Sequence, residues 1–135
     1  MNMRILLLVL VGVLSSCASG PGPRERMATQ YERYSRFAGD AVASFPFFTM
    51  QNWVLLGQYR LAVYTKVNEA WLLEVSPPCS DLEFAQAIAL SSSVSRVSAK
   101  FDHVLVGRDR CPIKEIRPVD VRAMKRERKL EQGSE

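Results

Sequence analysis

The chain has 135 residues, 47% of them hydrophobic, and a formal net charge of +4. That length holds one domain at most, and the hydrophobic share excludes a disordered chain. The mild positive charge permits attraction to anionic lipid or polymer but is too small and too scattered for a nucleic-acid groove.

The first segment reads as a leader. Met1 to Arg4 is a short positive start, and Ile5 to Leu14 is apolar throughout. Ten residues of helix rise about 15 Å, half of a bilayer core of about 30 Å, so a signal-peptide core fits better than a membrane span. Leu14-Ser15-Ser16-Cys17 then resembles the lipobox of bacterial lipoproteins, in which the cysteine thiol takes the lipid and becomes the new N-terminus. By the same resemblance Ala18, in place of an aspartate, favours the outer membrane. The expectation is a signal peptide over 1–16, lipid on Cys17, and a Gly- and Pro-rich tether over 17–23. The location that follows is the cell envelope, at the periplasmic face of the outer membrane.

Beyond the tether, Arg24 to Ala38 sets Met27, Tyr31, Tyr34 and Ala38 on one helical stripe, and Gly39 is placed to end the helix. Val42 to Phe48 reads as a strand or extended arm with Pro46 at an edge or bend. Three strands are expected next. Asn52 to Leu56 is the first. Tyr59 to Val67 sets Leu61, Val63 and Val67 against Arg60, Tyr64 and Lys66, and Ala70 to Val75 gives Trp71, Leu73 and Val75 a common face.

Ser80-Asp81-Leu82-Glu83 has the spacing of a capping box, which predicts a helix to about Leu90 that buries Phe84 and Ile88. Val94 to Val106 reads as one long strand. Val97, Ala99 and Phe101 share a parity that Val104 and Val106 do not, so a bulge or bend is expected near Asp102. Cys111 to Ile116 is a last strand. Pro118 and Asp120 start a final helix on Val121 and Met124, and 125–135 is a charged tail expected to fray.

Three cysteines are an odd number. With Cys17 given to lipid, Cys79 and Cys111 remain as a pair in an oxidising compartment, where a disulfide is the natural reading. It would close a loop of about thirty residues and stabilise the fold by ~3–4 kcal/mol in the chain-entropy model. No CxxC is present, so a redox or zinc motif has no spacing support.

The fold class is therefore α+β. A small antiparallel sheet of about five strands has a helix between strands three and four, an N-terminal helix and a C-terminal helix, all in one domain over 24–124. An OB-like barrel is a second option from the element order, though its parallel strand contact makes a Cys79–Cys111 bridge awkward.

Several stretches resemble a family of small proteobacterial envelope lipoproteins with a domain of unknown function. These are Trp53-Val54-Leu55-Leu56-Gly57, Glu69-Ala70-Trp71-Leu72-Leu73 and Pro78-Cys79 with Asp81-Leu82 in the first half. Val97 to Asp102, Cys111-Pro112-Ile113 and Ile116 to Asp120 follow in the second. The resemblance spans roughly Tyr34 to Met124. It implies secretion, a lipid anchor and paired cysteines, and it carries no catalytic residues.

The residues agree with a non-enzymatic reading. His103 is the one histidine and follows Asp102, so on a strand the two side chains point to opposite faces and do not form a base with its orienter. No nucleophile elbow, phosphate loop or metal-ligand spacing is present, and no cofactor or metal is expected. Asp102, Arg117 and Asp120 suggest an ion-pair network around the last strand.

The first expectation is a lipid-anchored envelope protein that binds or supports another envelope component, held at the membrane by its lipid. Its partner would be an envelope protein or an anionic polymer, and no nucleic acid is expected. The alternative is an OB-like module that binds an oligosaccharide or other small ligand through an aromatic face of Tyr59, Tyr64 and Trp71 with Arg60 beside it.

Overall fold

A computed structural model describes Cys17 and residues 19–134. The expected signal peptide over 1–16 lies outside the described residues, as do Ala18 and Glu135. No described helix is long and apolar enough to cross a membrane.

Helix α1 spans Pro23–Arg36, with its proline in the first turn where a missing N–H costs nothing. Strands follow at Ser44–Pro46 (β1), Asn52–Gly57 (β2), Arg60–Lys66 (β3) and Glu69–Val75 (β4). After a single 3₁₀ turn at Leu82–Phe84 come Ala89–Leu90 (β5), Arg96–Ser98 (β6), His103–Val106 (β7) and Asp109–Val119 (β8). Helix α2 spans Val121–Gln132.

Six strands form one curled antiparallel sheet, a half-barrel in the order β2-β3-β4-β8-β7-β5. Strands β1 and β6 pair separately. Every described strand pairing is antiparallel, and β2 and β5 remain open edges, so the OB-like closure does not form.

The period-two pattern of β3 and β4 explains why both faces of the sheet are buried. Leu61 and Val63 lie opposite Leu73 and Trp71, and they build one core with Phe45, Val97, Val104, Ile113 and Ile116. Ala62 lies opposite Leu72, and Tyr64 opposite Ala70, on the other face. There they meet Tyr34 of α1 with Val121 and Met124 of α2. The small Ala62 and Ala70 side chains leave room for the helices to lie close to the sheet.

A bulge lets β8 serve both ends of the first core. Glu74 pairs Glu115 while Val75 pairs Ile113, so Ile113 and Ile116 face the same side despite their odd spacing. The disulfide Cys79–Cys111 joins the β4 exit to β8 with a Cα–Cα distance of 5.6 Å. Both cysteines are fully buried.

Four expectations need correction. The helix between strands three and four is one 3₁₀ turn, and Ser80 and Glu83 form no capping box around it. The segment is instead tied to the β7–β8 hairpin. The Asp81 N–H donates to Asp109 Oδ2, and the Arg108 N–H donates to Asp81 Oδ2. Leu82 is buried, Phe84 is 81% exposed, and Ala89–Leu90 adds a short strand to β7. Tertiary pairing overrides the local helix signal.

The long strand at Val94–Val106 divides into β6 and β7, which belong to different sheets. The break falls where the parity changes, with Lys100 at φ 71° and the buried Asp102 carboxylate accepting from the Ser98 N–H. Phe101 shares the parity of the buried Val97 but is exposed, and Val67, expected on the face of Leu61 and Val63, is exposed in the turn after β3.

The charged stretch from Lys125 is helical to Gln132. Glu127 pairs Arg36 at 2.8 Å and Glu131 pairs Arg33 at 2.7 Å, which fastens α2 antiparallel to α1.

The ion-pair network of Asp102, Arg117 and Asp120 does not form. The Arg117 guanidinium donates to the Ala38 and Gly39 carbonyls, and Asp120 caps α2 by accepting from the Ala123 N–H.

Candidate functional site

The four residues expected to bind a ligand are divided between the two faces of the sheet. Trp71 stacks on Phe45 with ring centroids 4.8 Å apart, and its indole N–H donates to Thr65 Oγ1. Tyr59 is half-buried against the same core. On the opposite face the Arg60 guanidinium lies 4.3 Å from the centre of the Tyr31 ring of α1, and Tyr64 packs under the helices. These rings are used in packing, so no shared aromatic platform forms.

His103 and Asp102 turn to different surroundings. The Asp102 carboxylate accepts from the Ser91 hydroxyl and the Ser98 N–H, while the Ser91 hydroxyl in turn accepts from the His103 N–H. This chain of bonds joins the loop after β5 to the β6–β7 turn. His103 Nδ1 is buried without a hydrogen-bond partner among the described residues, and the Asp102 carboxylate is engaged by Ser91 and Ser98.

Cys79, Cys111 and Asp109 lie within 4.8 Å of one another. Both sulfurs are consumed by the disulfide, and Asp109 accepts from the Asp81 N–H. The cluster is a structural staple between the 3₁₀ turn and β8.

The feature with concentrated chemistry lies on the helix face. Tyr34 of α1 and Tyr64 of β3 bring their hydroxyls to 2.6 Å, at the base of a cavity of about 130 Å³. Gln30 and Arg33 of α1 form one wall, and Met124, Lys125 and Arg128 of α2 form the other. No carboxylate is among these lining residues. Arg33 is paired with Glu131, whereas Lys125 donates to two neutral acceptors, the Val67 carbonyl and Asn68 Oδ1. Arg128 makes no ion pair among the described residues, so two positive charges face the cleft without a counter-charge.

Burial pushes the Tyr34 phenol well above the ordinary tyrosine range, and its hydrogen bond to the Tyr64 hydroxyl raises it further. The Arg128 charge opposes this weakly. Both effects favour the protonated phenol.

A second basic feature runs along the outer side of α2. Arg122, Arg126 and Lys129 recur at i, i+4 and i+7 and are exposed. The two acids of that helix, Glu127 and Glu131, both turn to α1. The outward stripe therefore carries one sign of charge.

Sequence reading singled out Tyr64 but had no means to join it to Tyr34, which is thirty residues away. The available signal was the spacing of Val121, Met124 and Arg128, which sets a cation one turn beyond the buried stripe of α2.

Fold and site together define a small half-barrel protein with a two-helix layer and a basic cleft beneath it, stapled by one disulfide. The model of a family of unknown function, DUF6491, matches residues 1–135, and the chain belongs to that family. No curated protein and no solved structure matches it significantly.

Proposed function

We propose that this protein is a non-enzymatic envelope protein, tethered by lipid on Cys17, whose basic helix layer rests against anionic headgroups and supports or binds a partner there. The observation that carries this reading is the one-signed stripe of Arg122, Arg126 and Lys129, left by the inward turn of Glu127 and Glu131. Its position also supports it. Helix α1 starts six residues after Cys17, and six extended residues reach about 20 Å. The ion pairs set α2 beside the second half of α1: Glu131 meets Arg33, and Pro23 with the tether lies ten residues of helix, about 15 Å, from that contact, an offset within the reach of the tether. Each basic residue near an anionic leaflet contributes about 1 kcal/mol of attraction, and a lipid anchor multiplies the effect through local concentration.

Fractionation of cells making wild type and Cys17→Ala tests the anchor. The expected result is wild type in the membrane fraction after a high-salt wash and the variant released. A Cys17→Ala protein that stays with membranes through the wash would overturn the assignment.

A further inference from the structure

We infer that the cleft over Tyr34 and Tyr64 is a binding site for a single phosphate group. The inference does not depend on lipid at Cys17, and it rests on a count of protons and charges.

Two phenol hydroxyls carry two protons. At 2.6 Å one hydroxyl donates to the other, which uses one proton. Among the described residues no acceptor takes the second. Tyr34 is buried and Tyr64 half-buried, both line the cleft between the helices, and the pair offers that cleft one spare donor. Such a donor wants an acceptor that the protein does not supply.

The surrounding charge says which kind. Lys125 and Arg128 bring two positive charges without a facing carboxylate, and Gln30 adds an amide. A phosphate monoester carries about −1.5 to −2 at neutral pH, which matches that charge, while a carboxylate matches half of it. Arg128 offers the planar fork that grips phosphate oxygens, and Lys125 offers a point charge. Arg33 is held at the rim by Glu131, which keeps the third cation in place without adding net charge.

Size agrees as well. A cavity of about 130 Å³ holds about four waters at ~30 Å³ each, which is room for one tetrahedral oxyanion.

The chemistry is shared by free phosphate monoesters and by monoester lipid headgroups, and the test separates them. Calorimetric titration of the full chain with inorganic phosphate, at constant ionic strength, is run beside vesicles containing phosphatidic acid. Saturable binding of inorganic phosphate supports a site for soluble phosphate. Binding to vesicles alone, weakened in Tyr64→Phe, supports a headgroup site.

In either arm Arg128→Gln and Tyr64→Phe each weaken binding about tenfold, about 1.4 kcal/mol. Tyr64→Phe removes a hydroxyl and no charge, so its effect separates a built site from general attraction. Arg108→Gln removes an exposed charge outside both the cleft and the stripe and leaves binding of either probe unchanged. Arg128 is exposed, and its replacement leaves the core intact. The inference is overturned if neither probe binds, or if the Tyr64→Phe and Arg128→Gln proteins bind as wild type does.

Discussion

The hydroxyls of Tyr34 and Tyr64 meet at 2.6 Å, and this bond links the helix layer to the third strand of the sheet. It is a polar contact set within an apolar cluster of Leu56, Ala62, Leu72, Val119 and Met124. A buried hydroxyl without a partner would cost about 1–3 kcal/mol, so each tyrosine justifies the other.

Replacement of either by phenylalanine is expected to lower stability by about 1 kcal/mol, and the double variant by less than the sum. A double-mutant cycle from urea unfolding measures the coupling. The wild type also weakens in alkali. The Tyr34 phenol is raised in the folded protein, so its contribution is complete below the ordinary value of about 10 and falls as pH rises beyond it. Tyr34→Phe removes that part of the alkaline loss.

Glu69 titrates in the opposite sense. The Thr65 hydroxyl donates to its carboxylate at 2.6 Å, which holds the group below the usual range, and Lys66 at 3.3 Å adds to the effect. A lowered folded value means that the stabilisation is present above the ordinary carboxylate value and is lost as pH falls through the folded one. Thr65→Val is expected to bring Glu69 back toward its ordinary value in an NMR titration. An unchanged titration would show that the hydroxyl is not the cause.

The disulfide closes a loop that includes the 3₁₀ turn, β5, β6 and β7. Replacing Cys79 and Cys111 together by alanine is expected to remove ~3–4 kcal/mol, read as a drop in the urea midpoint. The two cavities left in a fully buried region add to that loss.

Gly107 sits at φ +55°, and an added Cβ would collide with the Asp81 carboxylate that accepts from the Arg108 N–H. Gly107→Ala is expected to cost about 1–3 kcal/mol, from backbone strain together with a displaced hydrogen bond. Hydrogen exchange should quicken first at Asp81 and Arg108, the two amides of this clasp.

Much of this architecture was legible in the residues. The alternation of Leu61, Val63, Trp71, Leu73 and Val75 placed β3 and β4 on one core, and the parity change at Asp102 marked the place where the chain leaves one sheet for another. Asp120 and the Val121–Met124 stripe set the start of α2. What failed did so for a common reason. The helix expected after Ser80 was read from local spacing, while the segment is held by Asp81 and Asp109 bonds to a hairpin some thirty residues on. The tail from Lys125 read as frayed because its charges were counted without their partners, Arg33 and Arg36, nearly a hundred residues earlier. Tyr34 and Tyr64 were each assigned a face, but only the folded chain brings their hydroxyls together.

The central claim is that lipid on Cys17 and the basic stripe of α2 act together at an anionic surface. Flotation of wild type and Cys17→Ala with phosphatidylglycerol vesicles, at about 0.01 M and about 1 M salt, tests it most directly, because the Debye length shrinks from ~30 Å to ~3 Å between them. Wild type is expected to float at both. Cys17→Ala should float only at low salt, and adding Arg122→Gln, Arg126→Gln and Lys129→Gln should release it there as well. A Cys17→Ala protein that floats equally at both salts, or at neither, contradicts the account.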